Sequence, residues 1–161
     1  MDRVKIEIIK RRSGFTLTEL MVVVIIFAIL ATVAIPGFSK WLPNTRLKRA
    51  SRDLFSNLQL AKLAAIKQNA DCSVTYSSNP DQYTISCLNK TVILGDYGSG
   101  VQFEGPGGET FSAGTITFNS RGLSNAGYAY LSNDRNSAYY RVGPLTSGAI
   151  RIQKWNGSSW E

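Results

Sequence analysis

The sequence predicts an α+β protein, a long N-terminal helix packed on a mainly antiparallel β-sheet head. Three observations predict it. From Phe15 to Ile35 the chain is apolar except at Thr16, Thr18, Glu19 and Thr32. Apolar residues then recur at spacings of three and four to about residue 68, the period of a helix with one buried face. After Asn69, short β-rich runs alternate with Gly, Ser, Asn and Pro, the pattern of strands and turns. At 161 residues the chain has room for one modest domain plus an anchor.

Charge is distributed along these segments unevenly. Residues 1–14 carry five basic and two acidic groups, residues 15–67 seven and two, and residues 68–161 six and seven. The formal charge of +7 therefore belongs to the leader and the helix, and the β-rich part has no net pull on phosphates. There is no His, which excludes imidazole general-base chemistry and His-ligated metal sites.

As a helix, residues 15–35 span about 30 Å at roughly 1.5 Å per residue, the thickness of a bilayer core. The Lys and Arg excess before them places the N-terminus in the cytoplasm and the bulk of the chain on the far side. A secretory signal peptide cut after "ATVA" (31–34), or a plain signal anchor, accounts for such a run. Neither accounts for Glu19, because a carboxylate in hydrocarbon costs on the order of 3 kcal/mol.

The stretch "SGFTLTEL", Ser13 to Leu20, followed by the apolar run, resembles the class III signal of type IV prepilins and pseudopilins. The resemblance implies a cytoplasmic-side cut by a prepilin peptidase between Gly14 and Phe15, which removes residues 1–14, and N-methylation of the new Phe15 amine. Glu19 then becomes the fifth mature residue and Pro36 the twenty-second. A carboxylate four residues from the amine lies on the same helix face. In a filament, Glu19 of one subunit is placed to pair with the Phe15 amine of the next. Away from water such a pair is strong only when both partners are present, so an unpaired Glu19 is expected to drive docking and set subunit register.

The second half of the helix, 36–68, contains two prolines. Pro36 is expected to kink the helix. Pro43 is expected to break it, with Asn44 or Thr45 capping a restart over about 44–68. Leu47, Ala50, Leu54, Leu58, Ala61 and Ala65 form a stripe, each within about 60° of Leu47, that should pack on the head. Arg46, Lys48, Arg49 and Arg52 fall on other faces, as solvated charge near anionic headgroups. Leu60 and Leu63 lie outside the stripe. A wider buried face is the expectation for them, and contact with a neighbouring subunit's helix the alternative.

In the head, 69–161, strands are expected at 72–77, 82–87, 90–94, 100–103, 115–118, 127–131, 138–142 and 149–154. Cys72 and Cys87 are symmetric about the turn Ser78-Asn79-Pro80-Asp81. They should face each other across a hairpin and form a disulfide, which a location outside the cytoplasm permits. Without C-x-x-C its role is stability. "GPGGE" (105–109) lacks the Lys and the strand-then-helix context of a phosphate loop. Asn133, Asp134 and Asn136 suit a turn better than calcium. No metal or cofactor is expected.

Two later stretches narrow the resemblance. "TITFNSRGLS" (115–124) and "YYRVGPLTSGAIRI" (139–152) resemble segments of GspH/FimT-type minor pilins and pseudopilins, the second with a Gly before the closing strand. This implies a non-enzymatic subunit near a filament tip that helps to start assembly of a type IV pilus or type II secretion pseudopilus. Its implied partners are other pilins in the filament, the prepilin peptidase, an inner-membrane assembly platform and the lipid bilayer. The head would stand in the periplasm and then in the filament. Some members bind DNA through Gly-Arg-x-Arg; here "SGAIRI" lacks the first Arg. Arg141, Arg151 and Lys154, with Trp155 and Trp160, remain as candidates for weak contact with single strands of nucleic acid. An anchored periplasmic enzyme is the rival from another class, and no nucleophile motif supports it.

Overall fold

The structure, a computed structural model, describes residues 15–135 and 138–161, with the backbone alone over 33–40. The leader 1–14, including Gly14, and Asn136 lie outside the described residues. The chain divides into two compact units between Phe38 and Ser39.

Helix α1 runs Leu17–Gln68. The helical backbone continues through Pro36 and Pro43. The expected break at Pro43 is absent. Proline removes one amide from the ladder, but neither Asn44 nor Thr45 starts a new helix, and the Thr45 hydroxyl instead donates to Trp41 O at 3.1 Å. The far end closes with a left-handed residue, Asn69 at φ 48°. Ala70 N donates to Ala65 O and Asn69 N to Ile66 O, which caps the last carbonyls.

In the first unit, the large apolar side chains from Phe15 to Leu30 are exposed, from 40% at Val23 to 85% at Phe15. A helix apolar on all sides needs a cover that a single chain does not supply. Among the described residues no helix is long and apolar enough to cross a membrane. The span expected over 15–35 ends in 33–35, whose side chains are not described.

In the second unit, α1 packs its stripe into the head. Leu47, Leu54, Leu58, Ala61 and Ala65 have no exposed surface and Ala50 is 1% exposed. Leu60 and Leu63 are 49% and 61% exposed, so the buried face does not widen to take them in, contrary to the expectation. Lys48, Arg49 and Arg52 are exposed. Arg46 is half-buried, its guanidinium lying where a side chain at Gly98 would sit.

Seven strands follow among the described residues. β1 (Cys72–Ser78), β2 (Asp81–Ile85), β3 (Lys90–Ile93) and β4 (Thr115–Phe118) form a sheet of order β3-β2-β1-β4. β5 (Ala129–Ser132), β6 (Tyr139–Pro144) and β7 (Ile150–Lys154) form a second, of order β5-β6-β7. All pairings are antiparallel. The expected strand 100–103 is not formed. The chain turns at Gly100 (φ 93°) and Gln102 makes only an isolated bridge to Ser132. Residues 86–88 leave β2 as a short 3-10 turn, ended by Asn89 at φ 46°.

The β1–β2 hairpin has the register the cysteines predict, with Tyr76 opposite Tyr83 and Val74 opposite Ile85. Continued, it brings Cys72 to Cys87, and they are disulfide-bonded with Cα atoms 5.2 Å apart. The core joins the α1 stripe to Val74, Tyr83, Ile85, Ile116, Phe118, Leu131 and Val142. Tyr76 stacks on Phe111 at 5.4 Å and meets Phe103 edge-on at 5.8 Å.

Two glycines from the two family-like stretches meet. Gly148 has φ 74° and a Cβ there would lie 1.8 Å from Gly122 O. Only a residue without a side chain allows the loop before β7 to sit on the loop after β4. Lys62 of α1 ties the same point, donating to Gly148 O at 2.9 Å.

Candidate assembly site at the start of the helix

Thr16 is the last residue before α1, and Glu19 is its third helical residue. The first amides of a helix have no partner inside it. Here the exchange is reciprocal. Thr16 N and Thr16 Oγ1 both donate to Glu19 Oε2, at 2.9 and 2.8 Å, and Glu19 N donates to Thr16 Oγ1 at 3.2 Å. This is a capping box, and a carboxylate in the first turn also suits the positive end of the helix dipole. Glu19 thus has a hydrogen-bond partner within its own helix, which the sequence reading did not foresee. Its Oε2 accepts from the neutral donors of Thr16. Thr16 was missed by the sequence reading, although T-x-x-E before an apolar run is itself the signal.

Phe15 stands immediately before this box, 85% exposed. Phe15, Thr18, Glu19, Val22 and Val23 line a shallow hollow of about 320 Å³ on one side of the helix. The chemistry available is recognition: a fixed carboxylate among exposed apolar side chains. Among the described residues no group of three or more His, Cys, Asp or Glu is placed to hold a metal.

Of the candidate nucleic-acid contacts, Arg141 is engaged by neighbouring side chains. Arg141 lies between two rings, 4.6 Å from the Tyr128 centroid and 4.9 Å from that of Trp160, and its Nε donates to Gln153 Oε1 at 2.9 Å. Trp160 packs on Trp155 at 5.2 Å and Tyr130 at 5.6 Å. The cation and aromatics that sequence offered for stacking bases are spent on one another. Arg151 and Lys154 are exposed on β7. Of the calcium candidates, Asn133 is buried and donates to Asn44 Oδ1 at 2.8 Å, while Asp134 is exposed.

Comparison with known proteins matches both halves of the chain. A family model described as the prokaryotic N-terminal methylation motif matches residues 9–35. A second, described as type II transport protein GspH, matches residues 50–148. Two proteins named Fimbrial protein, from Pseudomonas aeruginosa, are each 34% identical over 93 residues, 58% of this chain. The chain spans 60% of the length of these curated relatives. Among solved structures, the minor pseudopilin EpsH from the type 2 secretion system of Vibrio cholerae superposes with a TM-score of 0.54 at 15% identity, over 66% of this chain and 95% of that one. The type IV minor pilin FimU of Pseudomonas aeruginosa gives 0.54 at 15%, over 73% and 94%. At that identity the likeness is one of fold.

Proposed function

The chain belongs to the GspH family of type II transport proteins, and from that premise we propose that it is a minor pilin or pseudopilin whose role is to start or cap a type IV pilus or type II secretion pseudopilus. The observation that carries this reading is the Thr16–Glu19 box at the head of an apolar helix, within a stretch that matches the methylation motif. In the proposed sequence of events the precursor is anchored in the inner membrane by residues 15–35, with its N-terminus in the cytoplasm and its head in the periplasm. A prepilin peptidase cuts between Gly14 and Phe15, and the Phe15 amine is methylated. An assembly platform then passes the subunit into the filament.

Thr16 holds Glu19 by one oxygen, and the carboxylate charge is left for a cation from outside. The Phe15 amine of an adjacent subunit is a cation of that kind, presented by a neighbouring apolar helix. In a low-dielectric surrounding the pair forms only when the two helices are in one register. Pro36 serves as the kink that lets the apolar part reorient during this transfer. The chain's part in all of this is structural, and the covalent steps belong to other enzymes.

The experiment is the N-terminal mass of the protein from membranes with and without prepilin peptidase. A chain beginning at methylated Phe15 only when the peptidase is present is the expected result. An intact leader in both hosts, or a start near Ile35, overturns it. Glu19→Ala should be cleaved normally yet fail to enter filaments, and normal incorporation would overturn the role given to Glu19.

A further inference from the structure

Opposite its buried stripe, α1 carries a second face in the head unit. At 3.6 residues per turn, Trp41, Lys48, Arg49, Arg52, Leu60 and Ile66 each lie within about 60° of Leu63, on the side away from the core. The early part of this face is basic. Lys48, Arg49 and Arg52 are exposed, and with Trp41, Thr45 and Asp53 they line an open hollow of about 440 Å³. The later part is apolar, with Leu60, Leu63 and Ile66 at 49%, 61% and 44% exposure. Trp41 is 60% exposed. Glu19 and Asp53 are the only acidic residues of α1, so nothing acidic precedes Asp53 on this part of the helix.

An occupant of this face has to satisfy both parts. A second copy laid face to face does not. In parallel, the three cations meet their own counterparts; antiparallel, they are pressed against leucines. The rest of a second copy offers no tight cluster of carboxylates either, since among the described residues no three of His, Cys, Asp or Glu are grouped closely enough to hold a metal ion. An apolar helix covers the leucines and leaves the cations without anions. A nucleic-acid strand supplies phosphates but holds its bases by stacking on aromatic rings, and the later part of this face is aliphatic. An anionic bilayer surface supplies phosphates to the cations and hydrocarbon to the leucines, the combination that a basic amphipathic helix uses. Trp is also the aromatic residue of that boundary.

We propose that the outer face of α1 from Trp41 to Ile66 is a docking surface for anionic lipid. Lys48, Arg49 and Arg52 take headgroup phosphates, Trp41 sits at headgroup level, and Leu60, Leu63 and Ile66 enter the acyl boundary. The inference rests on the reading of residues 15–35 as the anchor. Trp41 follows Ile35 by six residues, so the bilayer that holds the anchor is always close to this face. A tether of that length raises the effective concentration of the surface, and individually weak contacts suffice. The head rests on the membrane by this face until it is drawn into a filament.

The test places the full chain in nanodiscs of phosphatidylcholine alone, or of phosphatidylcholine and phosphatidylglycerol in equal parts, each doped with a lipid spin-labelled on its headgroup. Methyl NMR reads proximity to the label as line broadening. The expected result is broadening of Leu60, Leu63 and Ile66 in the anionic discs, beyond that in neutral discs and beyond that of Ile93, which is 43% exposed on β3. Replacing Lys48, Arg49 and Arg52 together by Gln should keep the thermal midpoint and lower the ratio of docked to free head about a hundredfold. Leu63→Asp should weaken docking with all three cations in place, which attraction by charge alone does not foresee. A chain that enters the discs with its Leu60, Leu63 and Ile66 methyls broadened no more than Ile93 overturns the docking and leaves the anchor standing. A chain that does not enter the discs overturns both. Equal broadening in neutral and anionic discs overturns the role of the cations. A dimer formed through Leu60 and Leu63, or displacement of the face from the discs by a single-stranded oligonucleotide, overturns lipid as the occupant.

Discussion

Tyr76 and Tyr83 face each other across the first hairpin, 6% and 1% exposed, and removing the same atom from each should have opposite effects. Tyr83 OH accepts from Asn57 Nδ2 at 2.6 Å, and Lys90 Nζ donates to Asn57 Oδ1 at 2.9 Å. Tyr83→Phe therefore leaves the Asn57 amide without its acceptor at a site 5% exposed, at a cost of about 1–3 kcal/mol. Tyr76 OH is buried and has no hydrogen-bond partner among the described residues. Tyr76→Phe keeps the ring in its stack with Phe111 and its edge contact with Phe103, and it removes an unpaired hydroxyl. It should stabilise by about 1 kcal/mol, or about 3 °C in a chain of this size. Urea unfolding of the full chain in mild detergent, read as the midpoint at constant slope, measures both. A Tyr76→Phe variant that loses as much stability as Tyr83→Phe would refute the reasoning, because the Tyr76 hydroxyl would then have a partner.

Three further outcomes follow from the head. Replacing Cys72 and Cys87 by Ser opens a crosslink of sequence separation 15 and should cost about 3 kcal/mol by loop entropy, read as the shift in urea midpoint. Gly148→Ala drives a Cβ onto Gly122 O, 1.8 Å away. It should cost about 3 kcal/mol or more, visible as loss of the cooperative thermal transition. The third concerns pH. The Asp81 carboxyl is raised by burial, against the hydrogen bond from Phe103 N, and is raised further by Glu104. A raised folded value means that ionisation weakens the fold at neutral pH. Asp81→Asn, which keeps an acceptor for Phe103 N, should therefore stabilise at pH 7, with the gain vanishing as acid protonates Asp81. At the other extreme, Tyr97 is pushed up to about 12 by burial and then by the charge of Asp53. Its contribution is complete below the free phenol value near 10 and lost as pH rises through about 12, so unfolding free energy should fall across that interval.

What the sequence disclosed follows from periodicity. The stripe from Leu47 to Ala65 is set by a 100° step, and Cys72 with Cys87 by a hairpin whose residue numbers sum to a constant. Both were readable because each depends on one local geometry. The places where reading failed depend on competition between geometries. Pro43 signals a break, yet one missing amide is a small loss beside a helix already held by Leu47, Ala50 and Leu54 in the core. The strand over 100–103 had the right composition and no neighbour to pair with along its length. Arg141 looked like a free cation because nothing local says that Tyr128 and Trp160 will enclose it.

Glu19 shows how a residue chosen for one task can hide a second. Its position invites an explanation from outside the chain, because no single apolar helix needs a carboxylate. The Thr16–Glu19 exchange supplies one from inside: the residue caps its own helix and is held in a fixed place by doing so. The two explanations make different demands. Capping requires an acceptor at residue 19 and is satisfied by Gln, whereas pairing with an amine requires charge. Glu19→Gln should therefore retain the helix start and insertion, yet fail in assembly. Filaments that incorporate Glu19→Gln as well as the parent would reduce Glu19 to a cap and remove charge from the assembly step.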